Sequence, residues 1–282
     1  MARDEMNLYS DIDLCKNWED ERIKHPFFME KMSKESIFKC WESASEKYSA
    51  ERYLTIRGEI IVDLLDRGIL NSDRTMIDIG SGPGTFAIPI SRYVQEITCL
   101  DSSPGMISRL ENECLTNNVS NIKTKLEDWE CYNAEKIYDL AFTSLCPPMN
   151  TPESIMKMEE CAKEHCIYMS SMNDSSEMIS RIWKGLGKNY SYAGYNTKYP
   201  YDFLKAMGRS PKLRELSQDH TVDISLNEAI DNEVKHMSPF LETTDGAREI
   251  IAEIMSDYSE DSRLKINSKM KVGLLTWEPL ND

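Results

Sequence analysis

A strand-like run that ends in three closely spaced glycines constrains this chain more than any other feature. The run is Thr75 to Ile79, and it leads into Gly80-Ser81-Gly82-Pro83-Gly84. Glycine has no Cβ, so it adopts positive φ readily and lets the backbone approach a ligand closely. The G-x-G-x-G spacing differs from the G-x-G-x-x-G of dinucleotide sites, and it lacks the Lys-Ser/Thr pair of a P-loop. The chain is therefore expected to place a ligand-binding loop between a strand and a helix.

Runs typical of strands alternate with helical stretches after this loop. The alternation predicts an α/β fold with a doubly wound parallel sheet, whose ligands bind beyond the carboxyl ends of the strands. Two late strands would complete a seven-stranded sheet. The predicted strands are 75–79, 96–101, 121–126, 138–144, 165–170, 218–224 and 269–277, and the predicted helices include 52–69, 86–94, 152–163, 226–236 and 245–258.

The first 50 residues are interpreted as an N-terminal helical cap. Apolar residues at three- and four-residue spacings predict an amphipathic helix over 33–48. The segment is also rich in aromatic residues, which suits a cover over a ligand site. The aromatic residues are Trp18, Phe27, Phe28, Phe38, Trp41 and Tyr48.

Composition restricts the environment and the partners. Hydrophobic residues make up 40% of the 282 residues, and no apolar run approaches the roughly 18 residues of a membrane-spanning helix. No secretory or transit signal is visible at the N-terminus, so a cytoplasmic protein without a membrane partner is expected. The eight cysteines are too scattered for a disulfide scaffold. A net charge of −15 argues against a protein that coats nucleic acid.

From about Arg74 to Ser170 the chain resembles the class I S-adenosylmethionine-dependent methyltransferases, with weaker similarity to Trp277. The shared features are an acid before G-x-G-x-G, an acid at the end of the second strand, and acids after the third. The resemblance implies a Rossmann-like methyltransferase fold and S-adenosylmethionine as the cofactor. It implies cofactor-binding roles for Asp78, Gly80, Ser81, Gly82, Gly84, Asp101, Ser102, Met106, Glu127, Asp128, Trp129 and Ser144.

The acids have distinct implied roles. Asp101 would hold both ribose hydroxyls, since a carboxylate can accept two hydrogen bonds at once. Asp128 would meet the adenine amino group, with Met106 and Trp129 as apolar surfaces beside the ring. Taken singly, Asp101 could instead be a helix N-cap, and Asp128 a solvated turn residue.

No catalytic side chain is identified. The loop Cys146-Pro147-Pro148-Met149 departs at both ends from the motif with which amino-methylating nucleic-acid enzymes grip a flipped base. Cys146 is interpreted as a structural thiol, with a nucleophilic role as the alternative. His220 and His236 are candidate bases or ordinary polar histidines. No metal site is expected, because Cys161, His165 and Cys166 lack a second pair at ligand spacing.

A basic, tyrosine-rich segment at about 181–214 is the candidate substrate-binding insertion. It holds eight Lys and Arg residues against the single acid Asp202, whereas 215–261 holds 13 acids against two bases. One interpretation is a lid whose cations attract an anionic group, and the other is a solvated lysine face. As a lid it would form an acceptor pocket from Cys146, Tyr190, Tyr192, Tyr195, Tyr199 and Tyr201.

These features predict an enzyme with a cap at 1–50 and a methyltransferase domain at 51–282. It would transfer a methyl group from S-adenosylmethionine to a small-molecule acceptor, mainly by aligning donor and acceptor. One alternative is a nucleic-acid methyltransferase, which only the basic aromatic segment favours. Another is a non-catalytic cofactor-binding protein, which would keep the same glycines and acids. The sequence leaves the acceptor atom and the oligomeric state open.

Overall fold

The structure is a computed structural model that describes residues 13–25, 54–172, 176–188, 196–241 and 246–280. The predicted helix at 33–48 and the aromatic residues between 26 and 53 lie outside these ranges. So do Tyr190, Tyr192 and Tyr195. Among the described residues, no helix is both long and apolar enough to cross a membrane.

One mixed sheet forms the centre of the molecule. The strands are β1 Thr75–Ile79, β2 Glu96–Asp101, β3 Ile122–Leu126, β4 Tyr138–Ser144, β5 Ala162–Ser171, β6 Lys212–Ser225, β7 Ser259–Glu260 and β8 Arg263–Trp277. Their order in the sheet is β3-β2-β1-β4-β5-β8-β6, with the short β7 paired to β8. Strands β1 to β5 are parallel, and β8 runs antiparallel to both β5 and β6. The predicted doubly wound α/β architecture is confirmed.

Helices cover both faces of this sheet. Helix α1 spans residues 13–22. It is followed by α2 Leu54–Asp66, α3 Ala87–Ile90, α4 Pro104–Thr116, α5 Pro152–Glu159, α6 Glu177–Gly185, α7 Lys198–Ala206, α8 Leu226–Met237 and α9 Ala247–Ser256. A first hydrophobic cluster lies under α2, α3 and α4 on one face, and a second lies under α1, α5 and α7 on the other.

Beyond the sheet, β6 and β8 continue as a two-stranded ribbon. They pair from Lys212 opposite Thr276 to Ser225 opposite Arg263, but β8 pairs with β5 only from Trp277 to Val272. The nine residues of β8 before Val272 therefore lie beyond the carboxyl end of β5. At about 3.4 Å per residue, the ribbon extends about 30 Å.

Three helices pack on this ribbon around a third hydrophobic cluster. Trp183 of α6, Ile230 of α8 and Ile251 of α9 belong to it, as does Leu264 of β8. We call the ribbon (217–225 and 263–271) with α6, α8 and α9 the ribbon cap. Because the ribbon begins at the carboxyl edge of the parallel strands, this cap stands on the side where ligands bind in such sheets.

Several predicted boundaries differ from the structure. The predicted helix at 152–163 ends at Glu159, and its last residues already belong to β5. The predicted strand at 218–224 is the second half of the much longer β6. The basic segment at 181–214 is divided among α6, α7 and the start of β6. The proposed division at residue 50 stays a prediction.

Candidate functional site

The three glycines of the loop after β1 all have positive φ, but a Cβ added at each of them would meet different surroundings. Gly80 (φ 69°) lies against Cys146, whose Sγ would collide with a Cβ. Gly84 (φ 84°) lies against the Leu110 side chain in the same way. At Gly82 (φ 54°), no atom of the described residues other than its two chain neighbours lies within 4 Å of the place where a Cβ would be. Gly80 and Gly84 are therefore needed for packing, while Gly82 borders open space.

The Asp101 carboxylate joins the glycine loop to the loop after β2. Its Oδ2 accepts the Gly82 N–H at 2.8 Å, and its Oδ1 accepts the Ser103 N–H at 2.9 Å. The cap of α4 is Ser103, whose hydroxyl accepts the Met106 N–H at 3.1 Å, so the alternative of Asp101 as the N-cap is wrong. Asp101 is half-buried, and a carboxylate has lone pairs for further donors.

Asp78 is a buried acid at the end of β1. It is 1% exposed, and its Oδ1 has no hydrogen-bond partner among the described residues. Burial, with a smaller contribution from the Asp101 charge, raises the pKa of the Asp78 carboxyl to about 8. A buried carboxylate oxygen without a partner is costly. A ligand that brings a hydrogen-bond donor or a cation to the Asp78 oxygen would offset this cost.

The residues after β3 lie beside those after β2. The Glu127 N–H donates to the Asp101 carbonyl at 3.0 Å. The half-buried Asp128 accepts, through Oδ1, a backbone N–H two residues further on at 2.9 Å, so it has the turn role left open above. Trp129 is buried and stacks on Tyr132 with ring centroids 5.8 Å apart. Its Nε1 has no partner among the described residues.

The other predicted cofactor residues share this edge and differ in exposure. Met106 is buried in the first turn of α4, and Ser81 is buried in the glycine loop. Ser102 is exposed after β2, and Ser144 is half-buried at the end of β4. Because parallel strands end at the same edge, the loops after β1, β2, β3 and β4 lie together there.

The loop after β4 places Cys146 on the glycine loop. Leu145 has a φ of 48°, and its N–H donates to the Met169 carbonyl at 2.8 Å. Burial and the nearby charges of Asp101 and Asp78 raise the pKa of the Cys146 thiol far above its usual range. A neutral thiol is a weak nucleophile, so its contact with Gly80 supports the structural interpretation.

Two of the five candidate acceptor tyrosines are described, and both lie on α7. Tyr199 stacks on Trp18 of α1 with centroids 6.1 Å apart, and the Lys205 ammonium lies 5.4 Å from the Tyr201 ring. A groove of about 600 Å³ runs between α1 and α7. It is lined by Leu14, Asn17, Asp20, Glu21, Lys24, Asn196, Lys198, Tyr199 and Asp202.

The basic segment offers less free charge than its composition indicates. Arg181 pairs with Asp257 at 2.6 Å, and Arg214 pairs with Asp63 at 2.7 Å. Arg209 forms a buried ion pair with Glu159 at 2.7 Å, and the Trp277 indole N–H donates to the same carboxylate. Lys198 lines a groove that also carries three acids. The segment is therefore expected to attract an anion less strongly than its net charge indicates.

Sequence reasoning missed two features of this edge. Arg57 of α2 is half-buried, and its Nη1 donates to the Thr85 carbonyl at 3.1 Å. Asn150 and Tyr168 form a buried polar pair near the ends of β4 and β5, in which the Tyr168 hydroxyl donates to Asn150 Oδ1 at 3.4 Å. Neither has a local motif, because each depends on contacts between segments distant in sequence.

Comparison with known proteins agrees with this geometry. Residues 76–164 match a family model described as a methyltransferase domain. The YcgJ protein from Bacillus subtilis superimposes with a TM-score of 0.51 at 13% identity, covering 79% of this chain and 98% of its own. The BH2331 protein from Bacillus halodurans superimposes with a TM-score of 0.51 at 10% identity, covering 78% of this chain and 99% of its own. Magnesium protoporphyrin IX methyltransferase from Synechocystis superimposes with a TM-score of 0.48 at 12% identity, covering 78% of this chain and 81% of its own. No curated protein matches the chain in sequence.

Residues 76–164 thus match a methyltransferase domain in sequence, and the chain shares the fold of the YcgJ and BH2331 proteins. The residues present fit S-adenosylmethionine, the cofactor that the sequence resemblance implies. Gly82 leaves space at the loop, and the Asp78 oxygen that has no partner among the described residues requires a donor. Asp101 presents a half-buried carboxylate between the two loops.

Proposed function

We propose that this chain transfers a methyl group from S-adenosylmethionine to a small-molecule acceptor. One observation carries the proposal. At the edge where β1 and β2 end, the Gly82 N–H donates to the Asp101 carboxylate at 2.8 Å, and no described neighbour fills the place where a Cβ of Gly82 would be. Space for a ligand and an acceptor for its hydroxyl groups are thus adjacent, at the usual ligand position of a doubly wound sheet.

S-adenosylmethionine, when bound, supplies a methyl group activated by its positively charged sulfur. Asp101 would accept hydrogen bonds from the ribose hydroxyls, since each oxygen of a carboxylate can accept more than one hydrogen bond. Asp128 would meet the adenine amino group, and Met106 would form apolar surface beside the ring. These residues act by binding and orienting the cofactor.

Beyond cofactor binding, methyl transfer mostly requires that the donor methyl group and the acceptor are aligned. Holding two reactants in position and excluding water can supply much of the rate acceleration in such a transfer. The raised pKa of the Cys146 thiol keeps it protonated near neutral pH, so it serves as packing against Gly80.

The surroundings of this edge favour a small acceptor over a polynucleotide. The ribbon cap stands beyond the carboxyl end of β5, and α1 covers the neighbouring face through the stack of Trp18 on Tyr199. The ion pairs of Arg181, Arg209 and Arg214 occupy three of the eight cations in the basic segment, which weakens the case for a phosphate-backbone track and for an anionic acceptor.

A transfer assay with methyl-labelled S-adenosylmethionine tests this function. The protein is incubated separately with a low-mass metabolite fraction, with RNA and with DNA, and Asp101→Ala serves as the matched inactive variant. Label in the metabolite fraction that depends on Asp101 is expected. Label in RNA or DNA instead would favour the nucleic-acid alternative. Cofactor binding without transfer to any fraction would favour the non-catalytic one.

A further inference from the structure

Strand β8 is uncovered along part of one edge. Next to β5, its pairing ends at Lys271, whose carbonyl accepts the Met172 N–H at 3.0 Å. Further along the same edge, β7 pairs with Leu264 and Arg263. Between these two contacts, residues 265–270 pair with β6 on one side and with no described strand on the other. We call this stretch, which is about 20 Å long, the β8 notch.

The notch presents backbone groups that have no strand to pair with. In an antiparallel ladder, successive residues direct their N–H and C=O groups to opposite edges, so residues two apart share an edge. Because the Lys271 carbonyl points to β5, the backbone groups of residues 269, 267 and 265 point into the notch. Those of Lys265 and Lys269 form no hydrogen bond with a described residue there. Such an edge is a template for an additional strand.

The side chains beside the notch are basic. Lys265 and Lys269 are exposed and form no ion pair with a described residue. On β6, Asp219 lies opposite Lys269. Asp223 lies opposite Lys265 but pairs with Arg263 at 2.8 Å. A strand in the notch would lie about 4.8 Å from β8 and about twice as far from β6, where salt already screens the two acids. The notch therefore favours acidic side chains.

The edge strands of a second copy of this chain do not suit the notch. Strand β6 spans 14 residues, about 48 Å, which is longer than the notch. Strand β3 has five residues and would fit, but its exposed Lys123 and Lys125 would face the notch lysines. Like charges directly opposite each other destabilise a strand pair. A separate, short acidic segment is the better complement.

We propose that the β8 notch binds a short, extended acidic peptide segment of a partner protein, which adds a strand between β5 and β7. Backbone hydrogen bonds to residues 265, 267 and 269 provide affinity. Lys265 and Lys269 select acidic side chains on alternate residues of the peptide. Binding at the notch requires neither the cofactor nor methyl transfer, so this surface is independent of the proposed function.

Fluorescence anisotropy with labelled peptides of about six residues, the length that fills the notch, tests this site. A peptide of alternating Glu and Val is expected to bind at least about tenfold more tightly than its Lys and Val counterpart. N-methylation of one alternate set of its amides removes the donors that face β8, and a loss of at least about tenfold is expected. N-methylation of the other set, which faces away from β8, should change the affinity little.

Paired variants of the chain locate the binding. Lys265→Gln with Lys269→Gln is expected to weaken binding of the Glu peptide about 2- to 30-fold. Lys123→Gln with Lys212→Gln removes the same charge from exposed lysines on other strands and should have no effect. If the notch variant does not fold, the two N-methylated peptides decide the question.

Several outcomes would overturn the proposal. They are no binding of the Glu peptide at millimolar concentration, equal binding of the Glu and Lys peptides, and equal effects of the two paired variants. Binding of single-stranded RNA, but not of the Glu peptide, that is lost in the notch variant would also overturn it, because the lysines would then serve a phosphate backbone.

Discussion

The glycine-loop edge, which comprises the loop 80–84 with Asp78 and Asp101, and the ribbon cap differ in how their polar and apolar groups are satisfied. At the edge, a glycine with positive φ leaves open space and a buried acid lacks a partner among the described residues, as at Gly82 and Asp78. In the ribbon cap, apolar residues close around Trp183 and Ile251, and surface charges pair locally, as Arg263 does with Asp223. The first region gives up stability for binding, whereas the second is stabilised by its own core. We infer that the edge holds the cofactor and that the ribbon cap shapes access to it.

Trp183→Ala is expected to have the largest effect on stability of the variants considered, while leaving cofactor affinity unchanged. Trp183 is 2% exposed in the cap cluster, and such a truncation typically costs about 3–5 kcal/mol of unfolding free energy. Denaturant unfolding should show this loss. Affinity for S-adenosylhomocysteine should stay close to that of the wild type at temperatures where the variant is folded, because the cluster is separate from those under the sheet. A matching loss of affinity would mean that the cap supports the cofactor site directly.

Asp78→Asn should have the opposite signature, with higher stability and weaker binding. Because the folded pKa of about 8 exceeds the ordinary 3.8, the native carboxyl keeps a proton that the unfolded chain has lost. Stability of the ligand-free protein should therefore fall as the pH rises from about 4 to about 8. The variant should lack this slope and be more stable by about 2 kcal/mol at pH 8.

Binding should follow the reverse trend with pH. A cationic ligand group beside Asp78 favours the ionised carboxyl, so affinity for S-adenosylhomocysteine should rise from pH 6 to pH 8 and then level off. The Asn variant should bind weakly at all of these pH values. A wild-type affinity that does not vary over this range would show that no ligand cation approaches Asp78.

Alanine at Gly82 and at Gly84 gives a matched comparison within the loop. Each substitution strains a positive-φ position by roughly 1–2 kcal/mol. Gly84→Ala should lose further stability, because its Cβ would meet the Leu110 side chain. Gly82→Ala should lose less stability but more cofactor affinity, since its Cβ would enter the open space. Thermal unfolding and calorimetry on both variants measure the two effects, and an unchanged affinity in Gly82→Ala would place the ligand elsewhere.

The smallest effect is expected from the lysines of α7. Paired replacement of Lys198 and Lys205 by Gln should leave cofactor affinity unchanged, because Lys198 lines the groove beside α1 and Lys205 lies over Tyr201. Any rise in the acceptor's Michaelis constant should be modest. Tight, salt-dependent binding to RNA that is lost in the same variant would revive the nucleic-acid alternative.

The same contrast explains what could be predicted from the sequence. β2 and β4 were located to the residue because buried parallel strands are nearly continuous apolar runs. Only the second half of β6 could be predicted, since charged residues such as Arg214 and Glu215 conceal the periodicity of the first half of this edge strand. The place of Asp101 at the end of β2 could be predicted, whereas its role in binding the ribose, which the family resemblance implies, stays a prediction. The position of Arg57 could not be predicted, because its contact with Thr85 spans 28 residues.

Calorimetric titration with S-adenosylhomocysteine tests the central claim most directly. The account predicts one site per chain in the wild type. In Asp101→Ala the affinity should fall about 100-fold or more, since each hydrogen bond to a charged group contributes about 1.5–3 kcal/mol. Asp231→Ala, which removes an exposed acid from the ribbon cap, should bind as the wild type does. Absence of wild-type binding at millimolar concentration, or equal affinity in Asp101→Ala, would contradict the account.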